Sequence, residues 1–215
     1  MIKISGKVYA KYIKRLTDII LSLTGITITI IPMIIIAVII KADSPGPVIF
    51  KQKRIGKGKK HFSILKFRTM KTDAPKDMPT HMLKDPESMI TKTGRWLRKT
   101  SLDELPQLFN ILAGQMSIVG PRPALWNQED LIALRDGYIK QTGEAQKEKI
   151  TVNDLRPGLT GWAQINGRDE LPIDEKAALD AQYLKNISLR FDIKCFLKTI
   201  TAVLKSEGVA EGERK

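Results

Sequence analysis

Two adjacent carboxylates, Asp103 and Glu104, stand inside the stretch Thr100-Ser-Leu-Asp-Glu-Leu-Pro-Gln107. Arg95, Arg98 and Lys99 come just before them, and a Gly-Pro-Arg-Pro turn, Gly120 to Pro123, follows. Carboxylates among cations suit phosphate chemistry. One can attack phosphorus as a nucleophile. The other can help hold magnesium, which takes one or two carboxylates plus substrate phosphates. Nearby cations would then hold the phosphoryl group and its developing charge, and Lys66, Arg68, Arg95, Arg98 and Arg122 are the candidates. Adjacent helical residues point about 100° apart, so the pair would divide these jobs. A structural reading competes. Ser101-x-x-Glu104 fits a capping box, and acidic residues in a first turn suit the helix dipole. The residues alone leave both readings open.

The elements that must position these groups follow from pattern. A helix is expected from about Ser101 to Leu112, with Leu102, Leu105, Leu108, Phe109 and Leu112 as its apolar face. Val48 to Phe50 and Phe62 to Leu65 read as strands of a hairpin around the basic turn Gly56 to Lys60. That turn lacks the spacing of a nucleotide-binding loop and reads as a solvated turn. Residues 71–93, punctuated by Pro75, Pro79 and Pro86, read as a long surface loop. Residues 124–149 read as a charged, loosely amphipathic helix. Leu155 to Gly167, with one proline and three glycines, reads as a shaped loop. A last helix is expected over 173–204 with an interruption near Asn186. The tail after Ser206 has the composition of disorder.

Ile19 to Ile40 is a run of 22 residues without a charge. As a helix it would be about 33 Å long, against a hydrocarbon core of about 30 Å. Pro32 predicts a kink near Ile31. Lys11, Lys14 and Arg15 precede the run, and Lys41, Lys51, Lys53 and Arg54 follow it, so both ends favour the cytoplasmic side. A spanning helix and a helix that dips in, breaks at Pro32 and returns remain open. In the second, Thr27 and Thr29 would satisfy backbone groups freed by the break. A signal peptide fits poorly, because the run is too long and no small-residue cleavage site follows.

The net charge is +13. Residues 1–15 carry five Lys and Arg and no acid, and residues 41–100 carry sixteen against five acids. The excess therefore flanks the apolar run, which favours an anionic membrane surface over nucleic acid. Cys195 is the single cysteine, excludes an internal disulfide, and reads as a small core residue. His61 and His81 read as surface residues.

Ser101-Leu-Asp-Glu-Leu-Pro-Gln-Leu-Phe-Asn110 resembles the active-site helix of the bacterial sugar transferase family. These are monotopic phosphoglycosyl transferases that initiate bacterial surface glycans. Other stretches match in order: Lys14-Arg15-x-x-Asp18, Lys66-Phe-Arg-Thr-Met70, Gly114-Gln-Met-Ser-Ile-Val-Gly-Pro-Arg-Pro123, and Leu155-Arg-Pro-Gly-Leu-Thr-Gly-Trp-Ala-Gln-Ile-Asn-Gly-Arg168. Tyr183 and Asn186-Ile-Ser-Leu-Arg-Phe-Asp192 also fit. The resemblance covers residues from about 10 to 209.

The resemblance implies a mainly α protein with a small β-hairpin (α+β). Residues 1–43 would be the basic start and re-entrant membrane helix, 44–206 a cytoplasmic catalytic domain, and 207–215 a flexible tail. It implies transfer of a sugar-1-phosphate from a UDP-sugar to polyprenyl phosphate, normally undecaprenyl phosphate, with release of UMP. This would be the first membrane step of surface glycan assembly: capsule, exopolysaccharide, O-antigen or glycoprotein glycan. By the resemblance Asp103 is the nucleophile, forming an aspartyl-phosphosugar, and Glu104 helps bind Mg2+. Lys66, Arg68, Arg98, Gln107, Arg122 and Arg156 would contact phosphates or nucleotide. The membrane helix would be re-entrant with its break at Pro32, both ends cytoplasmic, in the bacterial inner membrane. Close small members often have Ser-Pro at the break, and this chain has Ile31-Pro32. Interfacial helices around 96–112 and 124–149 would keep the site near the headgroups. The chain reads as the minimal catalytic form, and no nucleic-acid partner is expected. The rival enzyme, a glycosyltransferase that releases UDP, would need a nucleotide-binding domain that nothing here resembles.

Overall fold

The apolar run folds as helix α1, Lys14–Asp43, preceded by a π-helical turn over Tyr9–Ile13. The computed structural model describes residues 8–78, 83, 85–142, 148–167 and 171–204. Helix α1 is continuous over 30 residues with Pro32 inside it. Proline deletes one backbone donor. Met33, Ile36 and Ile40 are buried just beyond it. The Thr27 and Thr29 hydroxyls donate to the carbonyls of Leu23 and Gly25 one turn back, whereas proline leaves the Ile28 carbonyl without its donor.

One face of α1 is buried at Asp18, Ser22, Met33, Ile36 and Ile40, positions that recur on one side of a helix. The opposite side leaves Leu16, Ile20, Leu23, Ile28, Ile31, Ile34, Ile35 and Val38 exposed. An apolar surface of that extent marks a membrane or partner contact, and the helix is compatible with membrane association. It ends at Ser44, where the backbone turns extended.

Strands β1, Ile49–Ile55, and β2, His61–Phe67, form the expected hairpin at greater length, pairing Phe50 with Lys66 and Gln52 with Ile64. Lys57 to Lys60 of the turn between them are exposed, and so is His61. His81 lies outside the described residues. Within the stretch expected to be a loop, Pro86–Met89 forms a short helix, α2. Helix α3, Lys92–Thr100, follows, with Thr91 as its cap accepting from the Gly94 amide.

The single helix expected over 101–112 is broken. Ser101 takes a left-handed conformation at φ 56°, Leu102–Glu104 form a 3-10 turn, and helix α4 begins only at Gln107 and runs to Leu112. The Ser101 side chain makes no capping bond, so the capping box is not formed.

Strand β3, Ser117–Val119, follows. The helix expected over 124–149 is limited to α5, Glu129–Gly137. Beyond Gly137 the chain forms an antiparallel pair, β4, Ile139–Thr142, and β5, Glu148–Thr151. Tertiary pairing of the Ile- and Thr-bearing segments overrides the charged, helix-like composition. An interfacial helix over 124–149 is thereby corrected. The shaped loop contains strand β6, Gly158–Thr160, which pairs in parallel with β3. Helices α6, Ile173–Asn186, and α7, Leu189–Leu204, meet the expectation of an interruption near Asn186. The tail, 207–215, lies outside the described residues.

The protein is mostly helical with a few short strands. One core gathers Tyr9, Ile64, Leu108, Ile111, Met116, Val119, Tyr183, Leu184 and the buried Cys195. A second is shared with the membrane helix: Met33, Ile36 and Ile40 pack with Phe67 and Leu97, and Leu102 and Leu105 lie against them.

Candidate active site

The dyad is held on the flank of α1. Leu102 and Leu105 bracket Asp103 and Glu104 and bury partly against the Met33, Ile36 and Ile40 face. One turn on, Leu108 packs over Gly25, where an added Cβ would lie 3.1 Å from its Cδ1. The left-handed Ser101 makes this possible. It costs a non-glycine residue roughly 1 kcal/mol, and the bend it creates turns Asp103 inward.

Asp103 is 8% exposed. Glu104 is less enclosed and its Oε1 accepts from Lys66 Nζ at 2.6 Å. Lys66 Nζ also stands 4.0 Å from Asp103 Oδ2, so one ammonium bridges both carboxylates. Arg122 NH1 lies 3.7 Å from Glu104 Oε1. Burial pushes the Asp103 carboxyl up to about 6, against the pull of Lys66, Arg98 and Arg122; Glu104 pushes the same way as burial. The carboxylate is therefore poorly solvated, held ionised at neutral pH by cations, and flanked by a second carboxylate: a nucleophile's setting.

Each cation has its own support. Lys66 is the penultimate residue of β2, and Asn110 ties that strand to α4. Its Oδ1 accepts from the Leu65 amide at 2.9 Å, and its Nδ2 donates to the Ser63 carbonyl at 2.9 Å and to Gln115 Oε1 at 2.6 Å. Arg98 Nε donates to Thr69 Oγ1 at 2.9 Å. Gly94 lets α3 approach Thr69 closely enough for this, because a Cβ there would lie 1.9 Å from the Thr69 carbonyl oxygen. The Arg122 carbonyl accepts from Arg135 NH2 at 3.0 Å, and Arg135 in turn holds buried Asp180 through Nε and NH2.

The structure therefore brings Lys66, Arg98 and Arg122 to the dyad. It does not bring Arg68 or Arg156. Arg68 is 4% exposed, and its guanidinium donates to the Ser44 carbonyl at 2.8 Å, to Ser44 Oγ at 2.9 Å and to the Pro45 carbonyl. It pins the turn by which the chain leaves α1. Arg156 Nε donates to the Gly114 carbonyl, beyond the far end of α4. Gln107 is buried one turn after Asp103, and its Nε2 has no bonded partner among the described residues. Pro32 is exposed on α1. Asn110, Thr69 and Arg135 escaped the reading by motif. Asn110 had a legible signal, a polar residue between apolar Leu108 and Ile111. Thr69 and Arg135 act through contacts distant in sequence and had none.

Among the described residues no three His, Cys, Asp or Glu side chains converge as a metal cage. A divalent ion would rely on the dyad and substrate phosphate, and the all-oxygen donor set fits hard Mg2+.

The family profile described as "Bacterial sugar transferase" matches residues 9–206. The "Uncharacterized sugar transferase EpsL" of Bacillus subtilis (strain 168) is 39% identical, over 93% of this chain and 91% of its own length. The "UDP-glucose:undecaprenyl-phosphate glucose-1-phosphate transferase" of Escherichia coli (strain K12) is 40% identical, over 88% of this chain and 40% of its own. The "UDP-N-acetylgalactosamine-undecaprenyl-phosphate N-acetylgalactosaminephosphotransferase" of Aeromonas hydrophila is 35% identical, over 94% and 45% respectively. The match thus spans nearly all of the first relative and less than half of the other two.

Proposed function

The chain belongs to the bacterial sugar transferase family, and from that premise we propose that it is a phosphoglycosyl transferase moving a sugar-1-phosphate from a UDP-sugar to undecaprenyl phosphate. An Asp103 oxygen attacks the phosphorus that bears the sugar. The bond to the oxygen bridging the two phosphates breaks, and UMP leaves with that oxygen. An aspartyl-phosphosugar remains. A phosphate oxygen of the prenyl phosphate then attacks the same phosphorus, Asp103 leaves as carboxylate, and prenyl-diphospho-sugar forms.

The observation that carries this reading is the buried Asp103 held among Lys66, Arg98 and Arg122 with Glu104 beside it. Lys66 and the two arginines offset charge on the transferring group. Glu104 would hold Mg2+, which supplies charge neutralisation on the phosphates when bound. Lys66, sitting on Glu104, would shift towards the phosphates as they arrive. The product would open a surface glycan such as capsule, exopolysaccharide, O-antigen or a glycoprotein glycan.

The membrane arrangement is part of the proposal. Helix α1 is held against the domain from Asp18 to Ile40, about 33 Å of its length. If it crossed the bilayer upright, the dyad beside Leu105 would sink into hydrocarbon. A helix entering shallowly, with both ends on the cytoplasmic face, keeps the dyad at headgroup level. The exposed Trp96 and Phe109 suit that level.

Purified protein incubated with Mg2+, a short-chain prenyl phosphate and a panel of UDP-sugars tests the reaction. Prenyl-dependent release of UMP is the expected result. Release of UDP instead would mean transfer of the sugar alone and would remove Asp103 as the nucleophile.

A further inference from the structure

Two buried side chains near the dyad each lack what the other offers. Among the described residues neither oxygen of the buried Asp103 carboxylate accepts a hydrogen bond, and Lys66 Nζ stands off at 4.0 Å. Gln107 is 2% exposed, its Nε2 is closed to solvent, and that nitrogen has no acceptor among the described residues. An unbonded donor in a protein interior is destabilising. Donor and acceptor are thus complementary, buried and unjoined.

The backbone keeps right-handed helical angles through Leu105 and Pro106 into α4, so Gln107 follows Asp103 by four residues of helical path. Side chains on a helix lean back over the turn before their own Cα. For Gln107 that turn carries Asp103. Three residues on, Asn110 lies on the same face of α4 and bonds Ser63 and Leu65 of β2. Gln107 therefore belongs to the face of α4 turned towards β2, the strand that presents Lys66 to the dyad. Closure to solvent decides what can meet Nε2. A neighbouring side chain reaches it by rotating, whereas a phosphate or nucleotide would have to enter the core.

We propose that Gln107 Nε2 donates to Asp103 when, and only when, Asp103 carries the phosphosugar. The inference rests on the reading of Asp103 as the nucleophile. One Asp103 oxygen forms its bond to phosphorus, the bond from phosphorus to the bridging oxygen breaks, and UMP leaves with that oxygen and its electron pair. Turning the first oxygen to phosphorus swings the carboxyl group and brings the second, now a carbonyl oxygen, round to Gln107. The new hydrogen bond belongs to the covalent intermediate and not to the free chain, so it stabilises the first relative to the second. It also fixes the acyl phosphate in one orientation for attack by the prenyl phosphate. Gln107 is thus a positioning residue that acts through Asp103, rather than a contact for phosphate or nucleotide.

The test omits prenyl phosphate, so that the reaction stops at the intermediate. The full chain in a neutral detergent is equilibrated with Mg2+, UMP and the UDP-sugar that gives prenyl-dependent UMP, radiolabelled at the phosphate bearing the sugar. Covalent label is counted after a denaturing quench and located by peptide mapping. In Gln107→Met the equilibrium constant for labelling should fall about tenfold, the effect of losing one hydrogen bond made only in the intermediate. The unlabelled variant should unfold at the same denaturant concentration as the parent or higher, because methionine removes an unbonded buried donor. Gln107→Ala, which adds no bulk, reads the same constant if the methionine variant does not fold. A glutamine that served the fold alone would lose stability on substitution and leave the constant unchanged. Label on Asp103 of the parent with an unchanged constant in the variants would overturn this inference alone. No covalent label on the parent, or label elsewhere than on Asp103, would overturn the nucleophile reading and this inference with it.

Discussion

Asp103 combines two demands that conflict. The proposed attack on phosphorus needs it ionised, and burial favours its neutral form. Its folded value of about 6 lies above the ordinary 3.8. The sign follows from linkage. The fold prefers protonated Asp103, a preference fully present below pH 3.8 and lost as pH rises through about 6. At pH 7.5 the buried charge costs up to about 3 kcal/mol. Asp103→Asn should therefore abolish prenyl-dependent turnover while unfolding at higher denaturant than the parent at pH 7.5. That advantage should shrink as pH approaches 4. Denaturant titrations at both pH values, with turnover measured alongside, check this. Turnover of the parent chain should rise with pH along an acid limb near 6. A residue retained only to cap a helix would show neither behaviour.

At the scale of elements, the site depends on how short pieces are fastened. Strand β2 presents Lys66, α4 follows the dyad, and Asn110 joins the two through two hydrogen bonds. Asn110→Leu would leave the buried Leu65 amide without its acceptor and free the strand end. A loss of about 1–3 kcal/mol of stability is expected. A larger proportional fall in kcat than in substrate affinity should accompany it, because Lys66 would no longer be fixed against Glu104. Thermal unfolding and steady-state kinetics read the two effects separately. A variant with parental kcat would show that Lys66 is held by other means. Ser101 acts similarly, since its left-handed backbone converts what the apolar spacing makes look like one helix into two with the dyad's turn between them.

At the scale of the whole molecule, membrane helix and domain share one interior. Asp18 is bound by β3, Arg15 caps α4, and Met33, Ile36 and Ile40 complete the core under the dyad. At the N-terminal end, Asp192 gathers Tyr9, Lys14 and Tyr183 within 2.8 Å. The proposed shallow, same-side arrangement keeps these contacts with the domain in water. Cysteines placed at Lys14 and at Lys51 should therefore react with a membrane-impermeant reagent only in inside-out vesicles, both together. Labelling from opposite faces would refute the shallow, same-side arrangement.

The sequence by itself determined what is local or periodic. Alternation and a basic Gly turn specified the hairpin, Ile19 to Ile40 announced a long apolar helix compatible with membrane association, and the Asp-Glu pair in its basic surroundings marked the candidate site. Lys66, Arg98 and Arg122 were legible because phosphate chemistry asks for cations and these lie in matching motifs. Only the tertiary structure decided which cations stand at the dyad. Arg68 and Arg156 have the same chemistry and stand in similar motifs, but their guanidiniums are drawn to carbonyls at the exit of α1 and beyond α4. It also decided that residues 139–151 pair as strands and that the chain bends at Ser101. In each case the deciding partner lies far away along the chain, and propensities of a few tenths of a kcal/mol per residue yield to packing and pairing worth several times more.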